Sequence, residues 1–67
     1  MTVARVTEIT ATSSESFDAA LNEGVKRASK TLKNIKGAWV KEQEVIIEGG
    51  EISQYLVKMK VTFVLDD

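Results

Sequence analysis

The chain has 67 residues, a formal net charge of −1, and neither cysteine nor histidine. This length gives one domain, residues 1–67, and the missing residue types exclude disulfides, the common zinc sites and thiol or imidazole catalysis. The near-neutral charge argues against nucleic acid, which needs a concentrated basic surface. No apolar run is long enough to span a membrane and residues 1–5 do not open a signal peptide, so a cytoplasmic protein is expected. Because the sequence also contains no recognisable catalytic motif, the protein is expected not to be an enzyme.

The first two predicted elements are a strand and a long helix. Residues 3–11 are rich in Val, Ile and Thr, which is typical of a strand. Thr12 and Glu15 have capping-box spacing and Ser13 is an equally good cap, so a helix is predicted from residue 14 to about residue 35. Gly37 is predicted to close it. Its apolar face is formed by Phe17, Ala20, Leu21, Val25, Ala28, Leu32 and Ile35.

A β-hairpin follows the helix. Residues 38–47 and 52–65 flank Gly49-Gly50, a pair suited to a two-residue turn with positive φ. With that loop, the predicted opposite pairs are Val40–Met59, Ala38–Val61, Glu44–Tyr55, Trp39–Lys60, Lys41–Lys58, Gln43–Leu56 and Ile47–Ile52. The side expected to cover the helix carries Tyr55, Val57, Met59, Val61, Phe63 and Leu65. The predicted fold is α+β, a β-α-β-β subunit with a three-stranded antiparallel sheet wrapped around one helix.

The predicted hairpin is longer than the predicted helix. A strand of about 14 residues spans roughly 45 Å, whereas a helix of about 22 residues spans roughly 33 Å. The hairpin tip should therefore project, carrying Val45, Ile46, Ile47 and Ile52. Because a domain this small is marginally stable alone, these residues are predicted to form a homo-oligomer interface. The alternative is that the sheet simply curls around the helix.

The whole arrangement resembles the dodecins. The resemblance rests on the order of the elements and on short matches spread over nearly the whole chain: Thr12-Ser13, Ala19-Ala20, Lys30-Thr31-Leu32, Val40-Lys41-Glu42, Tyr55, Val57, Lys60-Val61, Phe63 and Leu65-Asp66. Dodecins are hollow spheres of twelve identical subunits that store or buffer flavins without catalysing a reaction. Many of them bind riboflavin, FMN or FAD in pairs between subunits, on a Trp and a Gln. The resemblance implies a homododecamer that stores a small ligand, with flavin as the family default.

The positions that hold the flavin in this family differ here. Gly37 stands where the flavin-stacking Trp would fall, and Leu56 stands where the flavin-contacting Gln would fall. Glu44 replaces a common Arg. Residues 37–44 look more like the divergent dodecins that lack the flavin signature, one of which is associated with calcium. Flavin binding is therefore expected to be weak or absent, and a calcium-binding, cation-binding or purely structural cage is the alternative.

Trp39 and three lysines are further candidates near this position. Trp39 lies two residues after Gly37 and is predicted to share its sheet face. It either receives a displaced flavin or packs at a subunit contact with Lys60 as a cation–π partner. Lys41, Lys58 and Lys60 are candidate contacts for an anion such as a flavin phosphate; otherwise they are solvated or paired with acids.

Two glutamates are the candidate metal ligands. Glu42 and Glu44 are predicted to share the inner face of the hairpin with Tyr55. Buried carboxylates need partners, so they are expected either to meet basic residues across a subunit boundary or to bind a hard cation such as calcium. No recognisable calcium loop accompanies them, and copies from several subunits would have to combine.

Overall fold

Three antiparallel strands and one helix follow one another in the predicted order. A computed structural model describes residues 2–65, with β1 at Ala4–Ser13, α1 at Phe17–Ala28, β2 at Ile35–Glu48 and β3 at Glu51–Val64. The last strand, β3, lies between β1 and β2. The predicted β-α-β-β subunit is confirmed. None of the helical residues in this part of the chain forms a segment long and apolar enough to cross a bilayer.

α1 begins later than its predicted start. Its N-cap is Ser16, an extended residue (φ −169°) whose hydroxyl accepts a 2.9 Å hydrogen bond from the Ala19 amide. Ser13 is the last residue of β1, and its hydroxyl accepts instead from the amide of Glu15 at 3.0 Å. The predicted capping box of Thr12 and Glu15 is therefore wrong, and so is the alternative cap at Ser13, because the strand continues through both positions.

α1 also ends earlier than predicted, at Ala28 rather than near residue 35. The amide of Leu32 still donates to the Ala28 carbonyl at 2.8 Å, which closes a turn after the helix. The chain then reverses at Asn34, which has a φ of +61°, a left-handed conformation that Asn tolerates well. β2 starts at Ile35, so the prediction that Gly37 closes the helix is wrong. Gly37 lies inside β2.

The helix packs on β1 and β3. Alternate residues of β3 point at it, as predicted, and the side of the sheet on which they lie is called the inner face here. Leu65 is the exception, because it follows the end of β3 and is exposed. The centre of the core is formed by Ala20, Val57, Met59 and Val61.

Close packing of the helix depends on Gly24. A Cβ atom there would lie 2.7 Å from Cε of Met59 and 3.0 Å from Cβ of Ala11. We expect Gly24→Val to lower the free energy of unfolding by about 1–3 kcal/mol, since overpacking a filled core displaces its neighbours. Urea unfolding at fixed protein concentration measures this. The matched control is Gly37→Val, where an added Cβ meets nothing within 4 Å; equal losses in the two variants would contradict the packing argument.

Three β-bulges divide the hairpin into segments of different register. The unpaired residues are Lys36 and Lys41 in β2 and Ser53 in β3. The Ser53 hydroxyl donates to the Ile46 carbonyl at 3.1 Å. The predicted pairs Val40–Met59, Ala38–Val61, Trp39–Lys60 and Ile47–Ile52 are confirmed. The predicted pairs Lys41–Lys58, Gln43–Leu56 and Glu44–Tyr55 are wrong, and the observed pairs there are Glu42–Lys58, Gln43–Val57, Glu44–Leu56 and Val45–Tyr55. Each bulge shifts the pairing by one residue, which moves side chains to the opposite face.

The hairpin tip extends beyond the rest of the subunit. β1 ends opposite Tyr55, so residues 46–54 form a two-stranded ribbon with no third strand. Gly49 (φ +60°) and Gly50 (φ +80°) make its two-residue turn, as predicted. The subunit is 51 Å long, whereas a 12-residue helix spans only about 18 Å. Ile47 and Ile52 are therefore 61% and 51% exposed, while Val45 and Ile46 are half-buried.

Candidate functional site

The sheet face turned away from α1, called the outer face here, holds most of the candidate residues. Residues directly opposite each other in the ladder share a face, so the pairing assigns them. The outer face carries Glu8, Thr10 and Thr12 of β1, Leu56, Lys58 and Lys60 of β3, and Gly37, Trp39, Glu42 and Glu44 of β2.

Trp39 lies in the middle of this face beside charged neighbours. Its ring is half-exposed, and Nζ of Lys60 lies 5.7 Å from the ring centroid. This distance is within the range of a cation–π contact, as one of the two predictions for Trp39 proposed. Glu8 stands on the other side of Lys60. The three side chains therefore form a row across all three strands, in which a cation lies between an aromatic ring and a carboxylate.

The three candidate lysines do not form a like-charge cluster. Nζ of Lys41 lies 3.3 Å from Oε2 of Glu8, an exposed ion pair that reaches across β3. Lys58 stands opposite Glu42, because the bulge at Lys41 removes that residue from the ladder. The predicted opposition of Lys41 and Lys58 is therefore wrong. Each cation has an acid or an aromatic ring beside it, and Glu8 is a participant that the sequence reading missed.

The two positions expected to bind flavin lie far apart in one subunit. Gly37 pairs with Thr62, which is six residues along β3 from Leu56, so the two positions are roughly 20 Å apart. Trp39 is on the same face as Gly37, as predicted, and an added Cβ at Gly37 would meet nothing within 4 Å. A planar ligand that contacts both Gly37 and Leu56 therefore needs two subunits. Neither residue provides an aromatic ring or a polar side chain.

Glu42 and Glu44 are exposed residues of the outer face. Their predicted place on the inner face with Tyr55 is wrong, because the Lys41 bulge reverses the alternation beyond it. Between residues 2 and 65, no group of three or more Asp, Glu, His or Cys side chains is arranged to hold a metal ion. Calcium takes six to eight oxygen ligands. A calcium site on these two carboxylates would therefore need further ligands from other subunits or from water.

A groove of about 620 Å³ between α1 and the free edge of β1, called the edge groove here, was not predicted. β1 is an edge strand, and the helix lies beside it. Glu23 and Arg27 stand one helical turn apart, a spacing that indicates a shared helix face and is visible in the sequence. The groove is lined by Thr7, Ile9, Thr10, Ala11, Thr12, Glu23, Gly24, Arg27, Ala28, Thr31 and Leu32.

Comparisons with known proteins agree with this geometry. A family model described as Dodecin matches residues 3–66. The dodecin of Streptomyces davaonensis superposes with a TM-score of 0.95 and 41% identity, covering 98% of this chain and 97% of that one. A variant of Thermus thermophilus dodecin superposes with a TM-score of 0.94 and is 31% identical in sequence; the match covers 100% of this chain and 98% of that one.

A calcium-binding relative is also similar. The calcium dodecin of Mycobacterium tuberculosis is 33% identical over 63 residues, which are 94% of this chain and 89% of that protein. Its crystal structure, described as that of a calcium-chelating antigen with a novel calcium-binding site, superposes with a TM-score of 0.84 and 31% identity. That superposition covers 96% of this chain and 91% of the other. The likeness thus extends over nearly the whole chain, in sequence and in fold.

Proposed function

The chain belongs to the dodecin family, and on that premise we propose that it forms a hollow homododecamer that stores a small ligand without catalysing a reaction. The observation that supports assembly is the hairpin tip. Ile47 and Ile52 are more than half exposed on a ribbon that neither the helix nor β1 covers. A domain of 67 residues gains most from burying such a surface against other copies.

The ligand position is proposed to lie between subunits on the outer face. Gly37 and Leu56 are roughly 20 Å apart within one chain, so residues at the two positions meet around a ligand only when two subunits combine. Trp39 and Lys60 lie beside Gly37 and offer an aromatic ring and a cation. Flavin is the family default, and weak binding is expected because the stacking ring and the amide are both replaced.

Native mass spectrometry of the protein as isolated tests both parts of the proposal. We expect a species of about twelve times the 7.4 kDa subunit mass. Any retained ligand adds its own mass, which identifies its class. A folded monomer at micromolar concentration would contradict the assembly. A full complement of bound flavin would contradict the expectation of weak flavin binding.

Calcium is the second candidate ligand. The calcium dodecin of Mycobacterium tuberculosis is 33% identical to this chain. Glu42 and Glu44 are exposed on the outer face. In a symmetric assembly each subunit would present the same two carboxylates. Carboxylate oxygens are the ligands that calcium prefers, and copies from neighbouring subunits would supply the missing coordination.

Thermal unfolding with calcium and with a chelator checks this candidate. At a calcium concentration one hundred times the dissociation constant, we expect stabilisation of about 2.7 kcal/mol, because calcium would bind the native assembly only. Glu42→Gln with Glu44→Gln should abolish it. The control, Glu48→Gln with Glu51→Gln, removes two exposed carboxylates beside the turn and should retain it. An equal shift in both double variants would point to nonspecific screening of negative charge.

A further inference from the structure

Two surfaces of the subunit are left uncovered by the rest of the described chain, and one is concave while the other projects. The edge groove is concave, with Ile9, Ala28 and Leu32 among its apolar lining residues. The hairpin tip, residues 46–54, is a projecting ribbon that carries Ile47 and Ile52. A groove of about 620 Å³ is within the range of roughly 300–1,000 Å³ seen for sites that enclose a small ligand, so it has room for two isoleucine side chains.

The tip of a subunit lies far from the edge groove of the same subunit. Ile9 lines the groove and pairs with Met59, which is seven residues along β3 from Ile52. Seven residues of strand span roughly 23 Å. A contact between the two surfaces must therefore join two different copies.

We propose that the hairpin tip of each subunit occupies the edge groove of a neighbouring copy of this chain. This inference rests on the proposed function, because it names the contact that holds the assembly together. The shapes agree, since an apolar projection meets an apolar concavity. The chain segments around the two surfaces also carry opposite charge.

Charge is segregated along the chain in a way that matches these two surfaces. Residues 25–36, the helix end and the turn after it, contain five Lys or Arg and no acid; Arg27 lines the groove, and the other four lie around it. Residues 42–53, which include the tip, contain four Glu and no base. Within the described residues, Arg27, Glu48 and Glu51 form no ion pair in their own subunit. Docking would bring the acidic turn against the basic helix end, and Glu23 is the single groove carboxylate that opposes it.

The contact uses different patches on the two partners. Two copies could exchange tips about a two-fold axis; in the arrangement proposed here the contact instead extends from copy to copy and closes into a ring. Every subunit in the ring then donates one tip and receives another. No tip and no groove is left over, which is the property that a closed assembly requires.

Charge reversal tests the contact in the full-length chain. The groove variant is Arg27→Glu with Thr31→Glu, and the tip variant is Glu48→Lys with Glu51→Lys. We expect each to lower the assembly mass at least about twofold in native mass spectrometry, because like charges would face each other across the contact. The four changes together should restore the wild-type mass. The control is Glu15→Lys with Asp18→Lys, which reverses two charges near the start of the helix, outside both the groove lining and the basic helix end, and should leave the mass unchanged.

A cross-linking experiment tests whether the tip and the groove of two copies are close together, without relying on a change in the assembly mass. The chain has no cysteine, so Thr31→Cys with Ile52→Cys introduces one pair only. We expect oxidation to give a ladder of disulfide-linked subunits on denaturing gels, and no ladder from Asn22→Cys with Ile52→Cys. If the wild-type chain assembles but the charge variants keep its assembly mass and no ladder forms, the tip–groove contact is wrong while the proposed assembly stands. A monomeric wild-type chain would overturn the proposed assembly and the contact together.

Discussion

Replacing Ile47 and Ile52 with serine is expected to dissociate the assembly into monomers or small oligomers while the helix content stays unchanged. Both side chains are more than half exposed, and they lie on a ribbon beyond the end of β1. Full burial of an isoleucine contributes about 1.5–3 kcal/mol, and an assembly repeats that gain in every subunit. Sedimentation velocity measures the size, and circular dichroism measures the helix.

The control for this experiment comes from the opposite end of the sheet. Val3 and Leu65 are also exposed, at 55% and 43%, and the Leu65 amide donates to the Val3 carbonyl at 2.9 Å. Val3→Ser with Leu65→Ser removes a similar apolar surface and should leave the sedimentation coefficient unchanged. An unchanged size in the tip variant would place the interface elsewhere. A similar loss in both variants would mean that general hydrophobicity, rather than the tip, holds the subunits together. Adding Ile46→Ser should strengthen the effect only slightly, since that side chain is half-buried within the ribbon.

Installing Gly37→Trp with Leu56→Gln is expected to raise flavin affinity by at least about tenfold to a hundredfold. A stacked aromatic ring and a polar contact would both be regained. A desolvated polar group without a partner costs about 1–3 kcal/mol, and each 1.4 kcal/mol is a factor of ten in affinity. Trp39 is not expected to replace the missing ring, because a displacement of two residues along a strand is roughly 6.6 Å. An added side chain at Gly37 has open space around it within the subunit.

Fluorescence titration of riboflavin and FMN measures this gain. Gly37→Leu with Leu56→Ile is the matched control, because it fills both positions without an aromatic ring or an amide. Nanomolar quenching by the unmodified protein would show that Trp39 has taken over stacking, and Trp39→Phe would then weaken it. A double variant that gains nothing would show that the site differs at more than these two positions.

The hydrophobic pattern predicted the elements well and the helix end poorly. The turn and the inner face of β3 follow from Gly49-Gly50 and from the alternation in β3, which are local features. The central place of β3 in the sheet was not predicted. The apolar residues Leu32 and Ile35 continue the helical spacing and are half-buried in the structure, but one lies in the turn and the other in β2. Spacing shows only that a residue is buried; the hydrogen bonds that end α1 at Ala28 have no equivalent in that pattern.

The candidate site was predicted less well because of the β-bulges. A single unpaired residue at Lys41 moved Glu42 and Glu44 to the outer face and separated Lys41 from Lys58. Nothing in the identity of Lys41 marks a bulge, since any residue can occupy the position. The pairs on either side of that shifted segment, Trp39 with Lys60 and Ile47 with Ile52 among them, were predicted correctly because the bulges at Lys41 and Ser53 offset each other. The interface role of Val45, Ile46, Ile47 and Ile52 stays a prediction.

The position of β3 in the sheet determines when this subunit becomes able to fold. β1 and β2 each pair with β3 and are not neighbours in the sheet, although both precede it in the chain. A chain without β3 therefore leaves an unpaired edge on both β1 and β2, and α1 lacks part of its packing surface. The β1–β3 pairing is also non-local, and pairing of that kind slows folding. The sheet can therefore form only after residues 51–64 have left the ribosome, so folding of this subunit follows its synthesis rather than accompanying it.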